Sequence, residues 1–421
     1  MKSSIGKRWQ AGLLLACTSW LTLACGSTGS QLEELPPSQE SGALANCASV
    51  AGSITVCGTA LDSNGFVLAG ITAELGGRRV LTGADGSFSI SAPAGALLTF
   101  TLSAPGFMPF STNISSDILG RSFALARLFQ QTFDQLGPVM VLDPQSGAGA
   151  RIDLTQLVDM AGNPATPPIT IGVRYLDPSR VSMPGDDGAI TLQGQNAFLE
   201  SYGVTYVEAL GPQNQKLKLR AGTKAQIFIP ITNARLPVAP PSIALWTQQP
   251  GSGQWVEQQA PAQQQPSPMP RRECGPTGGE GNLSCNPEDC ANISPNSFVG
   301  PVDSLGYVNA DIAKTDPACL HIKVDVTQLP PGTQLPICLD IKIPVPGGSV
   351  QTRQVCAGAA GAVLYNIPAN VNLTISQAGG LGCPTPPSTN VQVNSGAPWG
   401  GTGRPSNPSQ CNSVLNIPPL P

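Results

Sequence analysis

Four carboxylates in one stretch of the chain, Asp186, Asp187, Glu200 and Glu208, are of the type and spacing that could do chemistry. Glycoside hydrolysis needs only two carboxyl groups facing each other across about 5 to 10 Å. A turn at Asp186-Asp187-Gly188, with the glutamates at solvent-facing strand positions, accounts for the same residues without catalysis. Asp62-Ser63-Asn64-Gly65 supplies part of a calcium-type oxygen loop but lacks the distal bidentate glutamate, and it also reads as a plain turn. Trp246 and Trp255 flank Pro250-Gly251-Ser252-Gly253, where aromatics either offer a ligand surface for sugars or fill a sandwich core. Other chemistries are poorly served. The single histidine, His321, lies inside the strand-like run Leu320-His321-Ile322-Lys323-Val324, and no Gly-x-Ser-x-Gly elbow exists to accompany it. Without CxxC pairs or Cys/His clusters, no metal site, cofactor or catalytic residue is expected.

The cysteines carry more information. Lys2, Lys7 and Arg8 precede a mostly apolar run of 14 residues, Ala11 to Ala24. That run is too short for a membrane-spanning helix, which needs about 20 residues, but it fits the core of a secretion leader. It closes with Leu21-Thr22-Leu23-Ala24-Cys25, which resembles a bacterial lipobox with Thr22 in place of the usual leucine. The resemblance implies cleavage after Ala24 and lipidation of Cys25. An ordinary secretory leader cleaved nearby is the alternative, and both readings export the chain. Gly26, rather than aspartate, follows Cys25, which points to the outer membrane. Of the 12 cysteines, Cys17 belongs to the leader and Cys25 to the lipid anchor, leaving ten. These are Cys47, Cys57, Cys274, Cys285, Cys290, Cys319, Cys338, Cys356, Cys383 and Cys411. An even count in an exported chain predicts disulfides. The sequence leaves the connectivity open: Cys47–Cys57 and Cys383–Cys411 are candidate local pairs, and Cys319, Cys338 and Cys356 sit on or near predicted strands that could be bridged crosswise.

Composition sets the fold class. Only 11% of residues are charged, while glycine (47) and proline (42) are abundant. Such frequent punctuation leaves no room for long helices, and Val, Ile, Thr and Leu alternate with small polar residues between the breaks. The pattern predicts an all-β protein of tandem, disulfide-stabilised β-sandwiches. A chain of 421 residues accommodates about three domains. The formal charge of −4 becomes −7 once the three leader cations are removed. A mildly acidic protein has no electrostatic footprint for nucleic acid, so membrane association would come through the lipid alone.

Along the chain, residues 1–24 read as the leader and 25–46 as a lipidated polar tether that would reach roughly 25 Å as a flexible coil. Residues 47–113 alternate short strands with turns, carrying Gly58, Leu61-Asp62, Gly65, Leu68-Ala69-Gly70, Thr82, Asp85-Gly86-Ser87-Phe88, Pro93-Ala94-Gly95 and Pro105-Gly106-Phe107. This string resembles the carboxypeptidase regulatory-like (transthyretin-like) domain. The resemblance implies a seven-stranded Greek-key sandwich and no peptidase activity. Ser115 to Gln135, with Phe123, Ala126, Leu128, Phe129 and Phe133, reads as either a short helix or strand.

The second unit, 114–260, carries Leu157-Val158-Asp159, Val173-Arg174-Tyr175-Leu176-Asp177-Pro178, Leu199-Glu200-Ser201-Tyr202-Gly203 and Gly253-Gln254-Trp255-Val256-Glu257. It resembles a segment of cartilage intermediate layer protein-like extracellular proteins, which implies a further sandwich without known chemistry. Residues 261–297 read as a Pro/Gly/Cys-rich, disulfide-pinned loop, and 298–421 as a C-terminal sandwich with an irregular tail. There, Val363 to Ser376 mirrors Phe88 to Leu102, with Pro368-Ala369-Asn370 in place of Pro93-Ala94-Gly95. Gly and Asn best tolerate the left-handed conformation, so a sandwich of the same kind as the first is predicted. Together these features predict a non-enzymatic envelope protein that binds protein or polysaccharide or acts as a spacer. A carbohydrate-active enzyme using paired carboxylates is the alternative.

Overall fold

The structure is a computed structural model describing residues 47–416, apart from 96–97, 180–181, 186–187, 250–251, 268–292, 316, 326, 328–334, 336, 347, 359–360, 378–390, 400–407 and 412. It is built of strands and three short 3-10 turns, as the composition requires. Among the described residues no helix is long and apolar enough to cross a membrane.

The N-terminal sandwich contains β1 (Ser53–Asp62), β2 (Thr72–Leu75), β3 (Arg78–Leu81), β4 (Ser87–Pro93), β5 (Leu98–Ser103), β6 (Phe110–Ile114) and β7 (Ile118–Leu125). They form two sheets, β4-β1-β7 and β3-β2-β5-β6. β1 runs antiparallel to β4 and parallel to β7. Val56, Ile71, Leu75, Phe88, Ile90, Phe100 and Leu102 fill the core between the sheets, and Phe88, Phe100 and Phe123 meet there with ring centroids 5.3 to 5.8 Å apart. The sandwich therefore extends past Asn113 to Leu125, because β7 is hydrogen-bonded to the first strand and Phe123 belongs to its core. The stretch 115–135 is strand, not helix: β7, then β8 (Phe129–Phe133).

Gly86 shows how closely the turns are specified. Its φ is +72°, and a Cβ there would lie 2.8 Å from the Ala60 carbonyl oxygen. Gly86→Val should destabilise the protein by about 2 kcal/mol or more, combining left-handed strain with a backbone clash. Thermal unfolding checks this, and a variant as stable as the parent would refute it.

The middle sandwich is larger. Its first sheet is β8, β12 (Ile169–Leu176), β14 (Phe198–Leu210), β21 (Gly306–Lys314) and β17 (Ser242–Gln248), with β13 (Ala189–Ile190) and β18 (Trp255–Glu257) at its margin. The second is β19 (Ala262–Pro266), β20 (Ile293–Val302), β16 (Ala225–Thr232), β10 (Gly149–Asp153) and β9 (Pro138–Leu142). β17 also pairs with β19, joining the sheets along one side, and the short β11 (Leu157–Asp159) and β15 (Leu217–Leu219) form a separate ribbon. Three strands depart from the expected division. β19 and β20 draw the ends of the 261–297 stretch into this sheet, and β21 places residues up to Lys314 here rather than in a C-terminal unit starting at 298. β14 is buried along its whole length because both faces are covered: Tyr202, Val207 and Ala209 enter the inter-sheet core, while Leu199, Val204 and Tyr206 enter a second cluster on the other face.

The C-terminal sandwich contains β22 (Ala318–Lys323), β23 (Ile337–Val345), β24 (Ser349–Ala357), β25 (Ala362–Ile367), β26 (Asn372–Gln377), β27 (Val391–Asn394) and β28 (Ser413–Asn416). Its sheets, β25-β22-β28 and β24-β23-β26-β27, repeat those of the N-terminal sandwich strand for strand. β22, like β1, has one antiparallel and one parallel neighbour. Asn370 takes φ +57° where the first sandwich has Gly95 at +122°, the substitution that the sequence parallel led one to expect.

Three disulfides are described, Cys47–Cys57, Cys319–Cys411 and Cys338–Cys356. The candidate Cys383–Cys411 pair is overturned: Cys411 precedes β28, which lies parallel to β22, and this brings it to Cys319 rather than to its neighbour in sequence. Cys274, Cys285, Cys290 and Cys383 lie outside the described residues, as does Cys25. Thiol titration of the denatured mature protein should find no free cysteine, and a count of about four would refute the exported, oxidised reading.

Candidate functional site

β14 carries both glutamates singled out by the sequence, but it does not pair them. Eight residues apart on one strand, they stand about 25 Å from each other, well beyond catalytic spacing. Each has a separate partner. Glu208 accepts a hydrogen bond from the Gly106 amide at 3.1 Å, tying the N-terminal sandwich to the middle one. Burial pushes its carboxyl above the usual range, and that amide and Lys216 pull it back. Glu200 is 3% exposed at its side chain and receives Arg235 Nη2 on Oε1 at 2.9 Å, with Lys314 Nζ 3.5 Å from Oε2. Asp186 and Asp187 lie outside the described residues.

The other candidates are also absorbed into structure. Asp62 Oδ1 accepts from the Asn64 and Phe66 amides at 2.9 and 3.0 Å, which closes the turn and turns its carboxylate toward the backbone. Trp246 and Trp255 are 0% and 2% exposed. They pack with Tyr206, Tyr307 and Leu199, so they form core and not a ligand surface. His321 is half-buried on β22, its basicity lowered by burial and by Lys323. Among the described residues, no group of three or more His, Cys, Asp or Glu side chains is placed to hold a metal.

What the fold assembles instead is a buried polar seam between the middle and C-terminal sandwiches. It starts at a bulge in β14, between Ser201 and Val204. A Cβ on Gly203 would come within 2.9 Å of both the Pro230 carbonyl oxygen and the Tyr175 ring, so the bulge admits only glycine. On one side of the bulge, Arg235 bonds Glu200, donates to the carbonyls of Ser201 and Pro346, and lies 3.9 Å over the Tyr202 ring. On the other side, Ser201 Oγ donates to Asn309 Oδ1 at 2.7 Å, and Asn309 Nδ2 donates to Asp311 Oδ2.

Gln351, on β24, accepts from the Ser201 amide at 3.1 Å and donates to Met183 Sδ. Thr352 and Gln354 continue the contact along β24. The Thr352 amide donates to Pro178 O at 2.7 Å, Thr352 Oγ1 to Ser179 O at 3.0 Å and the Gln354 amide to Ser182 Oγ at 3.1 Å. The N-terminal sandwich joins both partners. Tyr307 Oη donates to Pro109 O, and Cys338 and Cys356 pack on the N-terminal core.

Arg235, Asn309, Asp311 and Gln351 carry this seam, and none stands out in the sequence. In Tyr307-Val308-Asn309-Ala310-Asp311-Ile312 the polar residues occupy one parity, the usual mark of a solvent face. On the opposite side of the molecule, Pro138, Arg151, Ile152, Asp153, Lys224 and Gln226 line a shallow depression of about 280 Å³.

Fold and site thus define an all-β protein of three sandwiches whose buried polar groups join them to one another. No family model matches the chain, and no curated protein matches it. Solved structures do align. A variant of BcpA, the major pilin subunit of Bacillus cereus, is 9% identical with a TM-score of 0.15, covering 88% of this chain and 100% of that one. The Bacillus anthracis TIE protein is 9% identical with a TM-score of 0.16, covering 87% of this chain and 50% of that one. The major pilin SpaD of Corynebacterium diphtheriae is 8% identical with a TM-score of 0.15, covering 87% and 96%.

Proposed function

We propose that the chain is a non-enzymatic, lipid-anchored protein of the bacterial outer membrane that presents its sandwiches for protein or polysaccharide binding or serves as a rigid structural element. The observation that carries this reading is the use of Glu200 and Glu208: each is committed to a contact between strands or sandwiches, and they are too far apart to act on one bond. The leader, Cys25 and the polar tether support anchorage. The mutual packing of three sandwiches supports a stiff body rather than independent beads. The surface available to a partner is then neutral to mildly acidic, which suits protein or glycan better than nucleic acid.

Anchorage has a direct test. Cys25→Ala should remove the protein from the membrane fraction and abolish incorporation of labelled palmitate, since each buried methylene adds about 0.8 kcal/mol to membrane affinity. A variant that still sediments with membranes, beside a parent that takes up no label, overturns the anchor. Binding is tested by passing envelope polysaccharide and envelope protein fractions separately over the immobilised mature chain. Retention of neither would leave only the structural role, and turnover of a glycan would overturn the non-enzymatic reading.

A further inference from the structure

We propose that ionisation of Asp311 releases β24 of the C-terminal sandwich from the middle sandwich, making this seam a proton-operated latch. Asp311 is 0% exposed. It stands on β21 between Ser201 of β14 and Ala244 of β17. Oδ2 accepts from Asn309, while Oδ1 has no hydrogen-bond partner. The neighbouring Ser201 hydroxyl donates to Asn309 Oδ1 at 2.7 Å and lies close enough to Asp311 to favour its carboxylate.

The charged groups facing this carboxyl are Glu200 from β14, Arg235 from the loop after β16 and Arg353 from β24. Burial, with Glu200 adding to it, holds the group well above the usual carboxylate range and outweighs the Ser201 hydroxyl and the two arginines, which favour the carboxylate. Both arginines have other work. Arg235 is held by Glu200 and the Pro346 carbonyl, and Arg353 donates to the Tyr365 carbonyl at 3.1 Å. Among the described residues no cation makes an ion pair with Asp311.

A buried carboxylate without a counter-ion must find water or remain protonated. Along the sheet its neighbours are β14, whose pairing is interrupted by the bulge after Ser201, and β17, which pairs with β21 from Ala244 onward. Over Asn309 lies Met183, whose Sδ also accepts from Gln351, and Gln351, Thr352 and Gln354 of β24 bond to residues 178–201 beside it. Lifting β24 opens this face to water. Because the docked state holds the proton more tightly than the open one, docking is strongest at low pH. It weakens as pH rises from about 4, where an exposed carboxyl ionises, up to the raised value of the docked group.

The test is amide hydrogen exchange on the full mature chain across a pH series, corrected for intrinsic exchange, comparing the parent with Asp311→Asn. In the parent, protection of the Thr352 and Gln354 amides should fall by close to tenfold per pH unit above about pH 4 and then level off, the signature of one proton. In Asp311→Asn it should stay flat, while the Ile71 amide, bonded to Thr82 Oγ1 within the N-terminal sandwich, behaves alike in both proteins. A parent whose Thr352 and Gln354 protection is independent of pH overturns the latch without need of the variant. Parallel loss of protection in both proteins overturns the role of Asp311.

Discussion

Arg235→Ala should destabilise the protein by about 3–5 kcal/mol, because it leaves the Glu200 carboxylate buried and unpaired. Arg235 is 3% exposed at its side chain, as is Glu200. The same substitution removes the donor to Pro346 O and the cation over the Tyr202 ring. Lys314 cannot take over, since it is half-exposed and 3.5 Å from the other carboxylate oxygen. Lys314→Ala should accordingly cost under about 1 kcal/mol, as exposed ion pairs do. Urea denaturation of the two variants gives the comparison. If they lose the same small amount, the Arg235–Glu200 pair is not a buried support of the seam. Adding Glu200→Gln to Arg235→Ala should restore a part of the loss, since the uncompensated charge is then gone.

The second large effect concerns where the N-terminal sandwich stops. Residues 47–113 expressed alone in an oxidising compartment should show no cooperative melt, whereas residues 47–127 should. The shorter piece omits β7 and reduces the β4-β1-β7 sheet to a two-stranded ribbon. It also deletes Ile118, Phe123 and Leu125, which are 1%, 0% and 1% exposed. Each such side chain contributes about 1.5–3 kcal/mol when fully buried, and three exceed the margin of a domain this small. The longer piece will be less stable than the intact protein, since Cys338 and Cys356 no longer cover its core. A sharp transition in 47–113 would show β7 to be dispensable.

That boundary illustrates what a sequence reveals and what it hides. Local turn chemistry was plain: Gly65, Gly86 and Asn370 all take positive φ, as their place in Asp-Ser-Asn-Gly, Ala-Asp-Gly and Pro-Ala-Asn strings predicted. Alternation likewise marks Phe88, Ile90, Phe100 and Leu102 as inward-facing, and all four lie in the core. β7 escaped because its partner is the first strand, about sixty residues earlier and parallel, and nothing in a neighbouring turn records such a pairing. Its register also slips against β1 between Val56 and Gly58, which blurs the two-residue period. The seam escaped for a different reason. Asn309 and Asp311 alternate with apolar residues just as surface positions do, yet both are fully buried, with Met183 against Asn309 and β24 beyond it. Cys411 was assigned by proximity in sequence, whereas a parallel strand pair decided its partner.

The first disulfide has a mechanical meaning. Cys47 lies just ahead of β1, and its partner Cys57 sits halfway along that strand. Tension on the chain from the side of residue 46 passes through the sulfur bridge to Cys57 and bypasses Ser53 to Val56, so the early pairs with Pro93, Ala92 and Ser91 are not peeled one at a time. From Cys57 onward the load runs along the strand axis, against β4 on one side and β7 on the other. The remaining hydrogen bonds must then yield together in shear, and reducing this one bridge would convert the grip into a zipper.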